Sequence, residues 1–116
     1  MATLTADERL RYNRQIIIPE IGEAGQEKLK QATVFIAGLG GLGSVSAYYL
    51  AAAGIGRLRI ADGDRVEGAN LNRQILHHTA DIGNLKTESA LNKLKALNPN
   101  INAKYAIIPR INSLAQ

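Results

Sequence analysis

Three glycines, at positions 38, 40 and 43, sit in the run Ala32-Thr33-Val34-Phe35-Ile36-Ala37-Gly38-Leu39-Gly40-Gly41-Leu42-Gly43-Ser44. The spacing G-x-G-x-x-G gains meaning from its place after an apolar, β-branched run and before a helix. In such a loop the first glycine makes a tight turn and the second lets the backbone approach a phosphate. The third lets the helix pack closely on the sheet. A helix opening at Gly43 and Ser44 presents unpaired N–H groups and the positive end of its dipole to an anion. Downstream lie Asp62, Asp64, Asn70, Arg73 and Lys86. An acid at position 62, closing a second strand, suits ribose hydroxyls. Asn70, Arg73 and Lys86 carry the donors to hold a triphosphate and to stabilise departing pyrophosphate. One charge about 4 Å away is worth about 1 kcal/mol in water but about 4 kcal/mol near a protein surface, so a semi-enclosed loop matters.

Each of these residues has a plainer reading on spacing alone. Asp62 could cap a turn, and Asp64 could bond its own backbone. Arg73 and Lys86 could be solvated surface charges, and Arg14 could pair with Asp7 or Glu8 along one helix face. His77 and His78 are expected in a loop without catalytic duty. Tyr48 and Tyr49 fall on the helix after the glycines and suit packing better than adenine stacking.

The elements that must position these groups follow from periodicity. Thr33 to Ala37 predicts a first strand, and Gly43 to Ala53 a helix closed by Gly54. Arg57 to Ala61 alternates as a second strand and stops at Asp62-Gly63-Asp64. Residues 68–83 form a long polar connection with a helical turn around Leu71 to Ile75. Leu85, Leu91, Leu94 and Leu97 stand at helical spacing, so Leu85 to Leu97 is a helix ended by Asn98-Pro99. Ala103 to Ile108 is a third strand. Ahead of the glycines, Thr5-Ala6-Asp7-Glu8 fits a capping box, which starts a short helix carrying Arg9, Arg11, Tyr12 and Arg14. Ile16-Ile17-Ile18 before Pro19 predicts an extended, buried connector. Gly22 and Gly25 flank a turn before another short helix, Gln26 to Gln31.

Strand, helix, strand, helix, strand implies the α/β class with right-handed crossovers. The expected fold is the N-terminal half of a Rossmann-like, doubly wound parallel sheet, βαβαβ, strand order 3-2-1, preceded by short N-terminal helices. Residues 1–31 are the helical extension and residues 32–116 the nucleotide-binding half. The second half of such a sheet lies beyond the first strand, whose edge would otherwise be bare. Gln116 is therefore not expected to be a natural domain end.

Composition narrows the function. The chain has 116 residues, 46% of them hydrophobic and 21% charged, ordinary values for a globular domain. Lys and Arg number 14 against 10 Asp and Glu, for a net charge of +4, but the basic residues are scattered. With four Tyr, one Phe and no Trp there is little to stack bases on, so nucleic acid is not an expected partner. Absence of Cys removes disulfides, thiolate metal sites and cysteine nucleophiles from these residues. No apolar run approaches the ~20 residues of a membrane span, and no signal-peptide pattern follows Met1. The expectation is a cytoplasmic protein without a membrane partner.

Taken in order, Arg11-Tyr12-x-Arg14-Gln15, Gly38-x-Gly40-Gly41-x-Gly43-Ser44, Asp62-x-Asp64, Asn70-Leu71-x-Arg73-Gln74 and Gly83-x-x-Lys86 carry a resemblance. The chain resembles the MoeB/ThiF/HesA family, the ubiquitin-activating-enzyme-like proteins that adenylate the C-terminal glycine of small ubiquitin-like sulfur carriers. The resemblance covers the N-terminal half of a typical member and implies an ATP-binding adenylation domain. It implies that Gly38, Gly40, Gly41 and Gly43 approach ATP phosphates, Gly41 in particular, and that Asp62 binds ribose. Asn70, Arg73 and Lys86 would hold the phosphates, and Asp64 would help position magnesium. Arg14 would reach into the partner subunit of a homodimer as an arginine finger, making Arg14, Arg73 and Lys86 the catalytic set. The carrier's carboxylate would attack the α-phosphate, giving an acyl adenylate and pyrophosphate, as in thiamin or molybdopterin sulfur transfer. A second magnesium-binding Asp, a reactive Cys and the Cys-x-x-Cys pairs of a structural zinc, frequent in the family, have no counterpart in these residues. Any zinc would belong to sequence beyond residue 116, so this fragment alone is not expected to complete adenylation.

Two other functions compete. A nicotinamide- or flavin-dependent oxidoreductase would use the same glycine loop, although a polar connection rich in Arg and Lys suits a dry nicotinamide pocket poorly. A non-catalytic dimerisation or nucleotide-sensing module would keep the fold without the transfer.

Overall fold

A computed structural model describes residues 3–108. Three short helices come first: α1 (Ala6–Arg11), α2 (Asn13–Ile16) and α3 (Gly22–Gln31). They lead into β1 (Thr33–Ala37), α4 (Gly41–Ala53), β2 (Arg57–Asp62), α5 (Lys86–Leu97) and β3 (Asn102–Ile107). Single 3₁₀ turns at Gly68–Asn70 and Thr79–Asp81 punctuate the long connection between β2 and α5. Gln116, expected not to be a domain end, lies outside the described residues.

The sheet has three parallel strands in the order β1-β2-β3, which is the expected 3-2-1 order counted from its other edge. In register, Val34, Leu58 and Ala103 lie side by side, as do Ile36, Ile60 and Tyr105. Right-handed crossovers running in one direction put α4 and α5 on the same side of the sheet. There Leu58, Ile60 and Ala103 pack with Leu39, Ala47, Ala51, Ala90 and Leu94 into one core. The alanines keep both helices close to the strands and to each other. On the other side Phe35 is 62% exposed, and among the described residues β1 is paired only with β2.

The N-terminal helices begin as expected. Thr5 Oγ1 accepts from Glu8 N–H at 3.1 Å, and Glu8 Oε1 accepts from Thr5 N–H at 2.9 Å. Burial raises the Glu8 pKa, but hydrogen bonds from Lys30 and Thr5 outweigh it and hold this carboxyl below its ordinary value.

These helices dock at the far end of α4 and α5. Tyr12 is buried, and its hydroxyl accepts from Asn98 Nδ2 at 2.6 Å. Asn98 also donates to the Ala51 carbonyl at 2.8 Å, Gln15 and Gln26 both donate to Ala53, and Arg11 donates to Leu97. The carbonyls that a helix leaves unpaired at its C-terminus thus find side-chain donors. Gly54 takes the left-handed conformation (φ 92°) where the chain turns away.

Four expectations need correction. Ile16, Ile17 and Ile18 are not an extended buried connector. Ile16 closes α2, Ile17 is in the αR region, and Ile17 and Ile18 are 61% and 43% exposed. Pro19 constrains only the residue before it, and the Asn13 carbonyl accepts from Ile17 N–H at 3.0 Å. Gly22 and Gly25 do not flank a turn: Gly22 (φ 60°) makes the turn itself and α3 runs on through Gly25. α4 starts at Gly41 rather than Gly43, because Gly40 is already its extended N-cap. The helical turn expected around Leu71 to Ile75 starts earlier, as a 3₁₀ turn at Gly68–Asn70, and runs on to Gln74, with the Asn70 carbonyl accepting from Arg73 and Gln74 N–H at 3.2 and 2.9 Å.

Candidate functional site

The glycine loop joins the C-terminal end of β1 to α4, beside the end of β2. Gly38 is left-handed (φ 95°), which turns the chain sharply after Ala37. Because α4 begins at Gly41, its unpaired amides are those of Gly41, Leu42 and Gly43. Ser44 N–H is already committed to the Gly40 carbonyl at 2.9 Å, so the donor set lies earlier than the expected pair of Gly43 and Ser44. Gly43 faces the turn so closely that a Cβ there would lie 1.9 Å from the Gly38 oxygen.

Leu39, between the first two glycines, is fully buried and anchors the loop. Its N–H donates to Asp62 Oδ2 at 2.7 Å, and its carbonyl accepts from Ser44 Oγ at 2.9 Å. Asp62 Oδ1 accepts from Asp64 N–H at 2.7 Å, so one carboxylate ties the glycine loop to the turn after β2. A carboxylate has about four lone-pair sites, and these two bonds use two of them.

Asp64, Arg65, Glu67, Asn70 and Lys86 line a polar cavity of about 190 Å³. Lys86 is 7% exposed, and its N–H donates to the Asp64 carbonyl at 3.0 Å. An antiparallel bridge pairs Arg65 with Leu85, the residue just before α5. Among the described residues no group of three or more His, Cys, Asp or Glu is gathered as a metal site. Magnesium, however, often takes one or two carboxylates and completes its shell with substrate phosphates and water, a demand that Asp64 fits.

Arg73 lies against the glycines. Its Cβ, Cγ and Cδ would lie 3.6–3.7 Å from a Cβ built on Gly41, so its stem lies across the start of α4. Its guanidinium is exposed and donates locally, to the Ala69 carbonyl and Asn72 Oδ1, each at 3.1 Å. Neighbouring Gln74 is buried, and its Oε1 has no hydrogen-bond partner among the described residues.

The fold thus gathers Gly38, Gly40, Gly41, Gly43, Asp62, Asp64, Asn70, Arg73 and Lys86 around the carboxyl ends of β1 and β2. Arg14 is not among them. It is exposed on α2, next to Gln15, which bonds Ala53 at the opposite end of α4. The 13-residue helix between is about 20 Å long at 1.5 Å per residue, beyond the reach of one arginine. The helix-face pairing considered for Arg14 is absent too: Asp7 lies 4.0 Å from Arg11, and Glu8 bonds Lys30 at 2.7 Å.

Two histidines read as one loop feature part company. His78 is exposed, whereas His77 is 3% exposed between Leu39 and Ser89. Burial lowers the His77 pKa, aided by Lys86 and Lys93; the Leu39 carbonyl and Asp81 oppose it without reversing the direction. Local sequence held no signal for this, since Leu39 and Ser89 are both far along the chain. Tyr48 and Tyr49 meet edge to face at 5.7 Å, and neither borders the glycine loop.

The ThiF family model matches residues 12–111. The chain is 54% identical over 102 residues to the adenylyltransferase and sulfurtransferase uba4 of Aspergillus niger, covering 88% of this chain and 21% of that protein. It is 50% identical over 95 residues to a sulfur carrier protein adenylyltransferase of Thermus thermophilus, covering 82% of this chain and 35% of that one. Among solved structures, E. coli tRNA N6-threonylcarbamoyladenosine dehydratase, TcdA, in complex with ATP aligns with a TM-score of 0.82 at 28% identity. That alignment covers 88% of this chain and 41% of TcdA. The chain spans about a fifth of the length of the fungal relative.

Proposed function

This chain belongs to the ThiF family, and from that premise we propose that it binds ATP as part of an enzyme that adenylates the C-terminal glycine of a small ubiquitin-like sulfur carrier. One observation carries the reading: the free amides of α4, Arg73 across Gly41, and Lys86 with Asn70 and Asp64 all open at the carboxyl edge of β1 and β2. This is where open α/β sheets take their ligands. Adenylyltransferase names on two relatives and the ATP-bound structural neighbour support the nucleotide and the reaction class.

On this reading ATP phosphates rest on the amides of Gly41, Leu42 and Gly43 near the backbone of Gly38 and Gly40, while Asp62 takes the ribose. Arg73 leaves its local partners for the phosphate chain, where a bidentate guanidinium bond is stronger than two neutral ones. Lys86 and Asn70 hold the departing end. Magnesium held by Asp64 would neutralise part of the phosphate charge. The ionised carboxylate of the carrier attacks the α-phosphorus, the bond to the bridging α–β oxygen breaks, and pyrophosphate leaves with that electron pair. No protein nucleophile is required, so catalysis comes from aligning two anions and offsetting their charge.

Titration with MgATP and with NAD by calorimetry tests the reading. Saturable MgATP binding with no NAD binding is expected; NAD binding without ATP binding would transfer the assignment to an oxidoreductase. ATP binding without carrier-dependent pyrophosphate exchange by the full-length protein would leave a nucleotide-sensing module instead.

Arg14 is read as a finger supplied to the site of a second copy in a homodimer, because it lies at the wrong end of its own α4. In the full-length protein, Arg14→Ala and Arg73→Ala subunits, each impaired alone, are expected to regain exchange when mixed and re-associated. One site of the mixed dimer then has both arginines. No recovery would assign Arg14 another task.

A further inference from the structure

His77 is a buried titratable group beside the glycine loop that the nucleotide reading leaves unused. Its Nε2 lies 3.3 Å from the Leu39 carbonyl oxygen and its Nδ1 2.8 Å from Ser89 Oγ. A carbonyl only accepts, so Nε2 carries the proton, and in the neutral ring Nδ1 is left to accept from the Ser89 hydroxyl. Ser89 stands one helical turn after Lys86 on α5 and shares its face. One imidazole therefore spans the glycine loop and the helix that presents Lys86.

The peptide plane explains what this bridge can do. In a trans peptide the carbonyl of Leu39 and the N–H of Gly40 point in opposite directions. No cis peptide bond occurs among the described residues, and the Leu39 carbonyl is drawn inward by His77 and by Ser44 Oγ. The Gly40 amide is thereby turned away from the core. Leu39 N–H is fixed independently by Asp62.

We propose that His77 is a positioning residue for the nucleotide: it orients the Leu39–Gly40 peptide and sets the spacing between the glycine-loop amides and the Lys86 ammonium. His77 touches no phosphate itself. The inference rests on the nucleotide reading above, and three charged groups surround the ring: Lys86 and Lys93 on α5, and Asp81 in the turn before it. Lys93 and Asp81 pair with each other, and Lys93 Nζ comes within 3.5 Å of Ser89 Oγ. That pair steadies the serine from the solvent side.

The test compares His77→Gln and His77→Leu by MgATP calorimetry and circular dichroism. Gln keeps an N–H donor near the former Nε2, whereas Leu fills the space without one. Loss of the fixed Leu39–Gly40 orientation is expected to raise the Kd by about 10-fold in the Leu variant, a difference of about 1.4 kcal/mol. The Gln variant should stay within about threefold of wild type, and both should melt cooperatively. A Leu variant that binds as wild type, or a Gln variant as weak as Leu, would overturn the proposal. Should the Leu variant fail to fold, the ring nitrogens of the unsubstituted protein decide by 15N NMR at pH 7.5. The proposal requires a neutral Nε2–H tautomer, and an Nδ1–H tautomer sinks it. Wild-type protein that binds no MgATP contradicts the nucleotide reading instead, and the tautomer is still observed without any ligand.

Discussion

Gly43→Ala is expected to lower stability by about 3 kcal/mol and to abolish MgATP binding, the largest effect of any single methyl group in the glycine loop. The new Cβ would sit 1.9 Å from the Gly38 oxygen and 2.9 Å from its carbonyl carbon. Both are backbone atoms, so no side chain can swing aside. Either β1 and α4 separate or the left-handed turn at Gly38 unwinds. Overpacking a core typically costs 1–3 kcal/mol, and a rigid backbone contact belongs at the top of that range. Gly41→Ala is the informative contrast. There the added carbon meets only the stem of Arg73, at 3.6 Å, an ordinary contact. That variant should melt like wild type yet bind MgATP less tightly, because a methyl group would stand where phosphate approaches. Thermal denaturation followed by circular dichroism, together with calorimetry, separates the two. A Gly43→Ala protein that melts and binds normally would show that the third glycine is not a packing requirement.

Lys86→Ala in the full-length protein is expected to slow carrier-dependent pyrophosphate exchange by about 10²-fold or more, the scale of losing one preorganised donor to developing charge. Lys86 is the first residue of α5 and is 7% exposed, so water screens its charge poorly. Asp64 and Glu67 share its cavity. Without the ammonium those carboxylates would face the phosphates with less opposing charge, which weakens ATP binding as well as the transfer. Lys86→Arg should recover little, because a planar guanidinium does not reproduce a compact ammonium in a cavity of about 190 Å³. Arg73→Ala should approach the same loss while sparing the fold, since its guanidinium is exposed. Exchange at wild-type rate in both alanine variants would remove these residues from the site.

The strands and the glycine loop were legible in the sequence because each rests on local rules. Val34 and Ile36 alternate with outward residues, and Leu58 and Ile60 do the same one strand over. Gly54 and the Thr5–Glu8 capping box speak through residues a few positions away. Ile16 to Ile18 misled because three branched apolar residues before a proline suggest burial and extension. Only the docking of α2 against α3 and α4 decides otherwise. His77 was invisible for the opposite reason: its partners, Leu39 and Ser89, are 38 residues before it and 12 after it. No periodicity records such a triangle. Asp62 was legible as an acid ending β2, but its grip on Leu39 N–H depends on two strands pairing. For Arg14 the sequence held the type and not the place, because Tyr12 and Asn98, 86 residues apart, set where α2 lies.

The docking of the N-terminal helices has a consequence for solution conditions. Tyr12, Gln15, Gln26 and Asn98 secure the carbonyl end of α4 through a phenol and carboxamides, groups without net charge. At the other end, the proposed capture of a polyanion would draw on Arg73 and Lys86, and Arg73 is exposed to counterions. Raising ionic strength shortens the Debye length from about 10 Å at 0.1 M to about 3 Å at 1 M. A salt gradient should therefore loosen ligand capture at one pole of α4 while leaving the other pole assembled.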